Sequence, residues 1–140
     1  MVKRIILLFC LSTINGYFFN FLNDKYFHLT THVFGQTPKM ELLFISVVAA
    51  PIAETYLLQY LPNLILTKLR VKNTFLLIVL PSILFAFGHT YFWLYVFMTF
   101  FSGLILNYLF LYLKGKTPYY ILITMLFHAM YNLFGFLFVA

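Results

Sequence analysis

The sequence predicts an all-α protein, a polytopic transmembrane helical bundle of about five spanning helices forming a single domain over residues 1–140. Three observations predict it. The chain is 64% hydrophobic and only 9% charged, whereas a soluble domain carries about a quarter charged residues. Its apolar residues fall in runs long enough to cross a bilayer, which takes about 20 residues. The nine basic residues sit mostly in the short polar stretches between those runs.

The first expected span runs from about Lys3 to Leu22. Its start, Met1-Val2-Lys3-Arg4 before Ile5 to Leu11, is built like a secretory signal. The apolar run continues through Gly16-Tyr17-Phe18-Phe19, and no small-x-small site follows the early core, so a retained helix is expected. A polar loop from Asn23 to Lys39 follows, with His28, His32, Gly35 and Pro38. The second span is expected from about Met40 to Leu66, and a short third from Asn73 to Gly88. A hairpin break at Gly88 to Trp93 leads into the fourth, Tyr91 to Leu113, and the fifth runs from Pro118 to Ala140. No internal repeat or low-complexity tract interrupts this order.

Charge gives an orientation. Lys3, Arg4, Lys68, Arg70, Lys72, Lys114 and Lys116 fall on one side of the expected bundle, and Lys25 and Lys39 on the other. The positive-inside rule then puts the N-terminus inside and the C-terminus outside. The net charge of +6 therefore belongs to helix ends. No basic stripe is interleaved with aromatic residues on a soluble face, which excludes nucleic acid as a partner and leaves the lipid bilayer. Cys10 stands alone, so it forms no internal disulfide and reads as a small apolar residue.

Three polar residues interrupt the apolar runs: Glu54, His89 and His128. An ionisable side chain at bilayer depth costs a few kcal/mol or more and marks a functional site by default. At 1.5 Å per residue, the three lie roughly 18, 24 and 15 Å from the inner ends of their helices, so a common layer near the midplane is within reach. Pro51 precedes Glu54 by three residues and Pro81 precedes His89 by eight. Each removes a helix hydrogen bond and frees a carbonyl, which is tolerated at depth where the backbone packs on protein or lines a wet cavity.

As a reaction centre, this set has the parts for amide hydrolysis by activated water. Glu54 is a potential general base, and His89 completes a water-activating pair. His128 and Asn132 are four apart and share a helix face, where an imidazole and a carboxamide can donate to a developing oxyanion. Phe85 lies four residues before His89 and can hold the imidazole in one orientation. Singly, each of these residues also fits an interhelical hydrogen-bonding role. Ser102 and Asn107 read as packing residues of that kind. His28 and His32, four apart, are a weak metal clip and read better as solvated loop residues.

These residues carry a resemblance. Ala50-Pro51-Ile52-Ala53-Glu54, continuing Thr55-Tyr56-Leu57-Leu58-Gln59, is similar to the E-E-x-x-x-R motif of the CPBP family, the CAAX proteases and bacteriocin-processing intramembrane proteases. Phe85-Ala86-Phe87-Gly88-His89 resembles its F-x-x-x-H motif, and His128-Ala129-Met130-Tyr131-Asn132 its H-x-x-x-N motif. The family-like core spans about residues 40–132.

The resemblance implies an intramembrane endopeptidase acting on a membrane-associated peptide or protein. It implies Glu54 and His89 as the water-activating pair, and His128 and Asn132 as oxyanion donors. The family is described both as metalloprotease and as glutamate-type. Glu54, His89 and His128 are a candidate three-ligand zinc set with a fourth position open. The lack of a local HExxH clip favours the metal-free route. Thr55 and Gln59 replace the family's second Glu and its Arg together, so a charged pair is lost without stranding either charge. That departure keeps an alternative open: an inactive family member serving as a membrane binding or bacteriocin-immunity protein. A proton-coupled carrier using Glu54 is a third reading, weakened by the absence of the repeated halves many carriers show.

Overall fold

The computed structural model describes residues 1–31 and 37–138, so His32 and Gly35 of the first loop lie outside the described residues. The described residues form five helices. Four are long and apolar enough to cross a membrane: α1 (Val2–Phe27), α2 (Lys39–Lys68), α4 (Trp93–Lys114) and α5 (Tyr120–Phe138). The remaining helix, α3 (Thr74–Phe87), has 14 residues. That is about 21 Å of helix, short of the roughly 30 Å hydrocarbon layer. The expected count of five thus resolves into four full-length helices and one short one.

Each helix end has a local cause. Asn73 caps α3, its side-chain oxygen accepting from the backbone N–H groups of Phe75 and Leu76. Gly88 closes the helix, and His89 N–H turns back onto the Ala86 carbonyl. Phe92 is extended, which stops α3 and α4 from merging into one rod. At the end of α1, His28 takes a left-handed conformation (φ 52°). There the Asn23 side chain both accepts from Leu29 N–H and donates to the Leu29 carbonyl.

α2 is not a uniform α-helix. Wide π-helical turns occupy Ile45–Ala49 and Thr55–Tyr60, each ending two residues before a proline, Pro51 and Pro62. A proline ring strikes the carbonyl four residues back. For Pro51 and Pro62 these are the carbonyls of Val47 and Leu58, and both lie inside the wide turns. The extra residue in each π turn moves that carbonyl off the ring's path. Pro62 and both π turns escape the sequence reading. Pro81 sits inside α3, which stays α-helical.

α4 is the hub. It packs against α1, α3 and α5, and touches the second π turn of α2. α5 bridges α1 and α2, and α2 also lies along α3. The core between these helices holds Leu8, Phe85, Leu106, Leu109, Leu113 and Phe127. Large apolar side chains such as Leu7, Phe18, Ile52, Phe75 and Leu122 point outward, as a lipid-facing surface requires.

With lipid outside, burial of oil adds little to helix association; close approach and hydrogen bonds hold the bundle. Gly103 of α4 lies against Ser82 of α3, where a Cβ would come within 3.2 Å of the Ser82 Cα. Asn107, one turn on, donates to the Ser82 hydroxyl at 3.1 Å and to the Gly103 carbonyl at 2.9 Å. Asn15 of α1 donates to Met98 O and to the Ser102 hydroxyl, both at 3.0 Å. That hydroxyl meets Tyr131 OH of α5 at 3.4 Å. Ser102 and Asn107 therefore join helices, as their sequence positions suggest.

The basic residues of one end also come together. Arg4 stacks over the Tyr112 ring at 4.6 Å, Lys116 approaches the same ring, and Lys114 donates to Asn63 Oδ1 at 2.8 Å. At the other end Phe27 meets Trp93 edge-on at 4.9 Å.

The Gly103–Ser82 contact makes a definite prediction. Gly103→Val is expected to lower stability by about 1–3 kcal/mol through overpacking, read by equilibrium unfolding in mixed micelles. An unchanged unfolding midpoint would show that α3 and α4 can separate at this point without cost.

Candidate active site

Glu54 lies near the middle of the 30-residue α2, at the junction between the α-helical segment Ala50–Glu54 and the second π turn. Its carboxylate is held between two imidazoles. His89 Nε2 stands 3.4 Å from Oε1, and His128 Nε2 stands 3.5 Å from Oε2. His89 comes from the turn after α3 and His128 from the middle of α5, so three elements distant in sequence meet at one carboxylate. The side chains are 20%, 14% and 3% exposed for Glu54, His89 and His128, so the centre is mostly enclosed but reachable from one side.

The shortness of α3 places His89 here. A full-length helix would carry the residue to the membrane surface, whereas α3 stops at Phe87, two residues before His89. His89 then folds back, its Nδ1 2.7 Å from the Phe85 carbonyl oxygen. A carbonyl only accepts, so Nδ1 bears the proton and Nε2 is turned to Glu54. In the neutral imidazole, Nε2 then faces Oε1 as a lone pair. At that distance the two are joined directly only through a further proton.

Phe85 does what its spacing suggests and more. Its ring lies 4.6 Å from that of His89 and 5.7 Å from that of His128, and its carbonyl fixes the tautomer. Tyr95 (6.2 Å) and Tyr91 (6.5 Å) complete an aromatic wall around His89. Sequence reasoning missed both tyrosines, although their four-residue spacing just after the hairpin was available as a signal.

Asn132 is placed differently from the expectation. Its Nδ2 donates to the Ser46 carbonyl at 2.8 Å, tying α5 to the first π turn of α2. Among the described residues, no hydrogen bond or ion pair joins it to Glu54, His89 or His128. The cause is local. A π turn shifts the ladder of backbone bonds, and the Ser46 carbonyl becomes an available acceptor facing α5.

Two atoms of the centre, Glu54 Oε2 and His128 Nδ1, are buried without a protein hydrogen-bond partner. Both belong to residues expected to handle the reaction. Thr55 and Gln59 are fully buried directly beyond Glu54. His28 is exposed at the end of α1, remote in sequence and helix from this centre, and His32 lies outside the described residues. Among the described residues no group of three or more His, Cys, Asp or Glu side chains is assembled to hold a metal ion.

A family model described as type II CAAX prenyl endopeptidase, Rce1-like, matches residues 36–134. No curated protein and no solved structure gives a match. The family match contains Glu54, Phe85, His89, His128 and Asn132, and it slightly exceeds the core of 40–132 that the motifs outline. The apolar helices agree with it, making this a multi-pass membrane protein of an endopeptidase family. Because the match covers more than half of the chain, the protein belongs to the Rce1-like type II CAAX prenyl endopeptidase family.

Proposed function

We propose that the protein is an intramembrane endopeptidase that hydrolyses a peptide bond of a membrane-associated peptide or protein with water activated by Glu54. The observation that carries this reading is the Glu54 carboxylate set between His89 and His128 at 3.4 and 3.5 Å. These distances are longer than a good N–H···O bond of about 2.9–3.0 Å and too short for a water to sit between the groups, so the attacking water takes a place beside the pair, within reach of both. The proposed orientation has the N-terminus inside the cell membrane, as the seven basic residues of one side favour.

The steps balance with protein atoms and water. Glu54 takes a proton as the water oxygen attacks the scissile carbonyl carbon. His89, fixed through Nδ1 on the Phe85 carbonyl, orients that water through Nε2. Negative charge moves to the carbonyl oxygen, where a His128 N–H donates to it. Asn132 spends one amide hydrogen on Ser46 and retains a second for the same oxyanion. Collapse of the tetrahedral intermediate breaks the C–N bond, and Glu54 returns its proton to the leaving amine nitrogen. A prenylated C-terminal peptide is one candidate substrate class, supported by the family description.

A second reading has its own observation. Thr55 and Gln59 stand where the family motif has Glu and Arg, and an inactive binding or immunity-type protein would keep the fold while losing such a pair.

Peptide termini in membranes from cells expressing wild type or Glu54→Gln, matched for expression, separate the two. Termini that depend on the wild type are expected, with hydrolysis in the variant lower by about a hundredfold or more. Indistinguishable termini would sink the peptidase reading in favour of the inactive one. Treatment of the purified protein with a zinc chelator is expected to leave hydrolysis unchanged. Loss of activity that returns on adding zinc would replace glutamate-type activation by a metal-held water on Glu54, His89 and His128.

A further inference from the structure

The basic end of the bundle holds a groove that the proposed chemistry does not use. Its volume is about 450 Å³, and it is lined by Met1, Lys3, Arg4 and Leu7 at the start of α1 and by Tyr112 and Lys116 at the end of α4. A site for a small ligand typically measures about 300–1,000 Å³.

The charge of this groove is one-sided. Lys3, Arg4 and Lys116 are exposed in it. The three acidic side chains of the chain lie elsewhere: Asp24 at the far end of α1, Glu41 in the first turn of α2, and Glu54 between its two imidazoles. Among the described residues, no ion pair reaches Lys3, Arg4 or Lys116. Arg4 and Lys116 instead converge on one ring, that of Tyr112, at 4.6 and 5.8 Å. A ring face attracts a cation through its quadrupole but does not neutralise it. An anion between the two cations relieves their repulsion and accepts charge-assisted hydrogen bonds from guanidinium and ammonium donors.

The position of the groove says which anion. The apolar run of α1 begins at Ile5, directly after Lys3 and Arg4, and α4 ends at Lys114. The cations therefore stand where the helices leave the hydrocarbon, at headgroup level. Toward the membrane the lining turns apolar. Leu7, one turn deeper than Lys3, is 58% exposed, and Leu11, a further turn on, is 44% exposed. On α4, Tyr108 lies one turn deeper than Tyr112 and stacks on it at 6.4 Å. A soluble phosphate engages the cations alone. A phospholipid engages both parts, with its phosphate on the cations and an acyl chain over the apolar side chains below. Basic pockets between membrane helices take anionic headgroups for this reason.

We infer that this groove holds one anionic phospholipid, its phosphate between Arg4 and Lys116 and an acyl chain along Leu7. The lipid ties α1, which lies outside the family-matched residues 36–134, to α4, which lies within them. The inference goes beyond the peptidase reading and stands whether or not the chain hydrolyses anything.

The test moves the full chain from nanodiscs of mixed phosphatidylcholine and phosphatidylglycerol into neutral detergent and counts the retained lipids by native mass spectrometry. The wild type is expected to keep one phosphatidylglycerol, in about tenfold preference to phosphatidylcholine. Arg4→Gln combined with Lys116→Gln is expected to abolish that preference. Lys68→Gln combined with Lys72→Gln removes the same charge from the same end but outside the groove, and is expected to change it by about twofold at most. All four residues are exposed, so matching unfolding midpoints are expected. Lys3→Gln gives the same comparison should the Arg4 and Lys116 pair fail to fold. No preference in the wild type, or equal loss in both pairs, would overturn the inference. Displacement of the lipid by inorganic phosphate would also overturn it, and would assign the groove to a soluble anion.

Discussion

A carboxylate in the middle of an apolar bundle is the constraint on which the rest of the structure depends. Glu54 cannot leave the membrane, because residues of α2 extend about 20 Å on either side of it. It must find partners there, and the fold supplies two imidazoles from elements far apart in sequence. Their supply dictates other features. α3 has to end at mid-depth so that His89 arrives beside Glu54, and α5 has to lie against α2 so that His128 does. The packing of α5 on α2 and of α3 on both α2 and α4 meets these two demands.

Irregular backbone is the second demand. Inside lipid every peptide group needs an internal partner, so a proline in a spanning helix is tolerated only with local repair. α2 makes that repair twice, with a wide turn just ahead of Pro51 and another just ahead of Pro62. The two turns flank the five-residue segment that presents Glu54. They also change which groups are left over. The Ser46 carbonyl is met by Asn132 from α5, which converts a defect of one helix into a joint between two.

Much of this was legible in the sequence, for reasons particular to each element. The helices were visible because apolar runs and polar interruptions report membrane spans directly, and Asn73 and Gly88 marked the ends of α3 within a residue. Glu54, His89 and His128 stood out because ionisable residues are rare at depth, and simple depth arithmetic allowed them to meet. The π turns were not legible. Periodicity over a few residues does not distinguish a wide turn from an ordinary one, and only the prolines hint at the clash being relieved. Asn132 shows the consequence. Its four-residue spacing from His128 pointed to the reaction centre, while its amide is drawn to a carbonyl whose availability depends on a turn that no motif encodes. Tyr91 and Tyr95 were lost among the chain's eleven tyrosines, where no single one is conspicuous.

The paired departure at Thr55 and Gln59 follows from the same electrostatics. Both positions are fully buried. A Glu and an Arg there would have to neutralise each other at close range, because an unpaired buried charge costs far more than the pair. Loss of either one alone would strand its partner, so the two change together. What replaces them is uncharged but still polar, and that choice is informative. Valine and leucine would have filled the volume with no desolvation cost. Retaining a hydroxyl and a carboxamide keeps donors and acceptors on the face beside Glu54 while removing the charges.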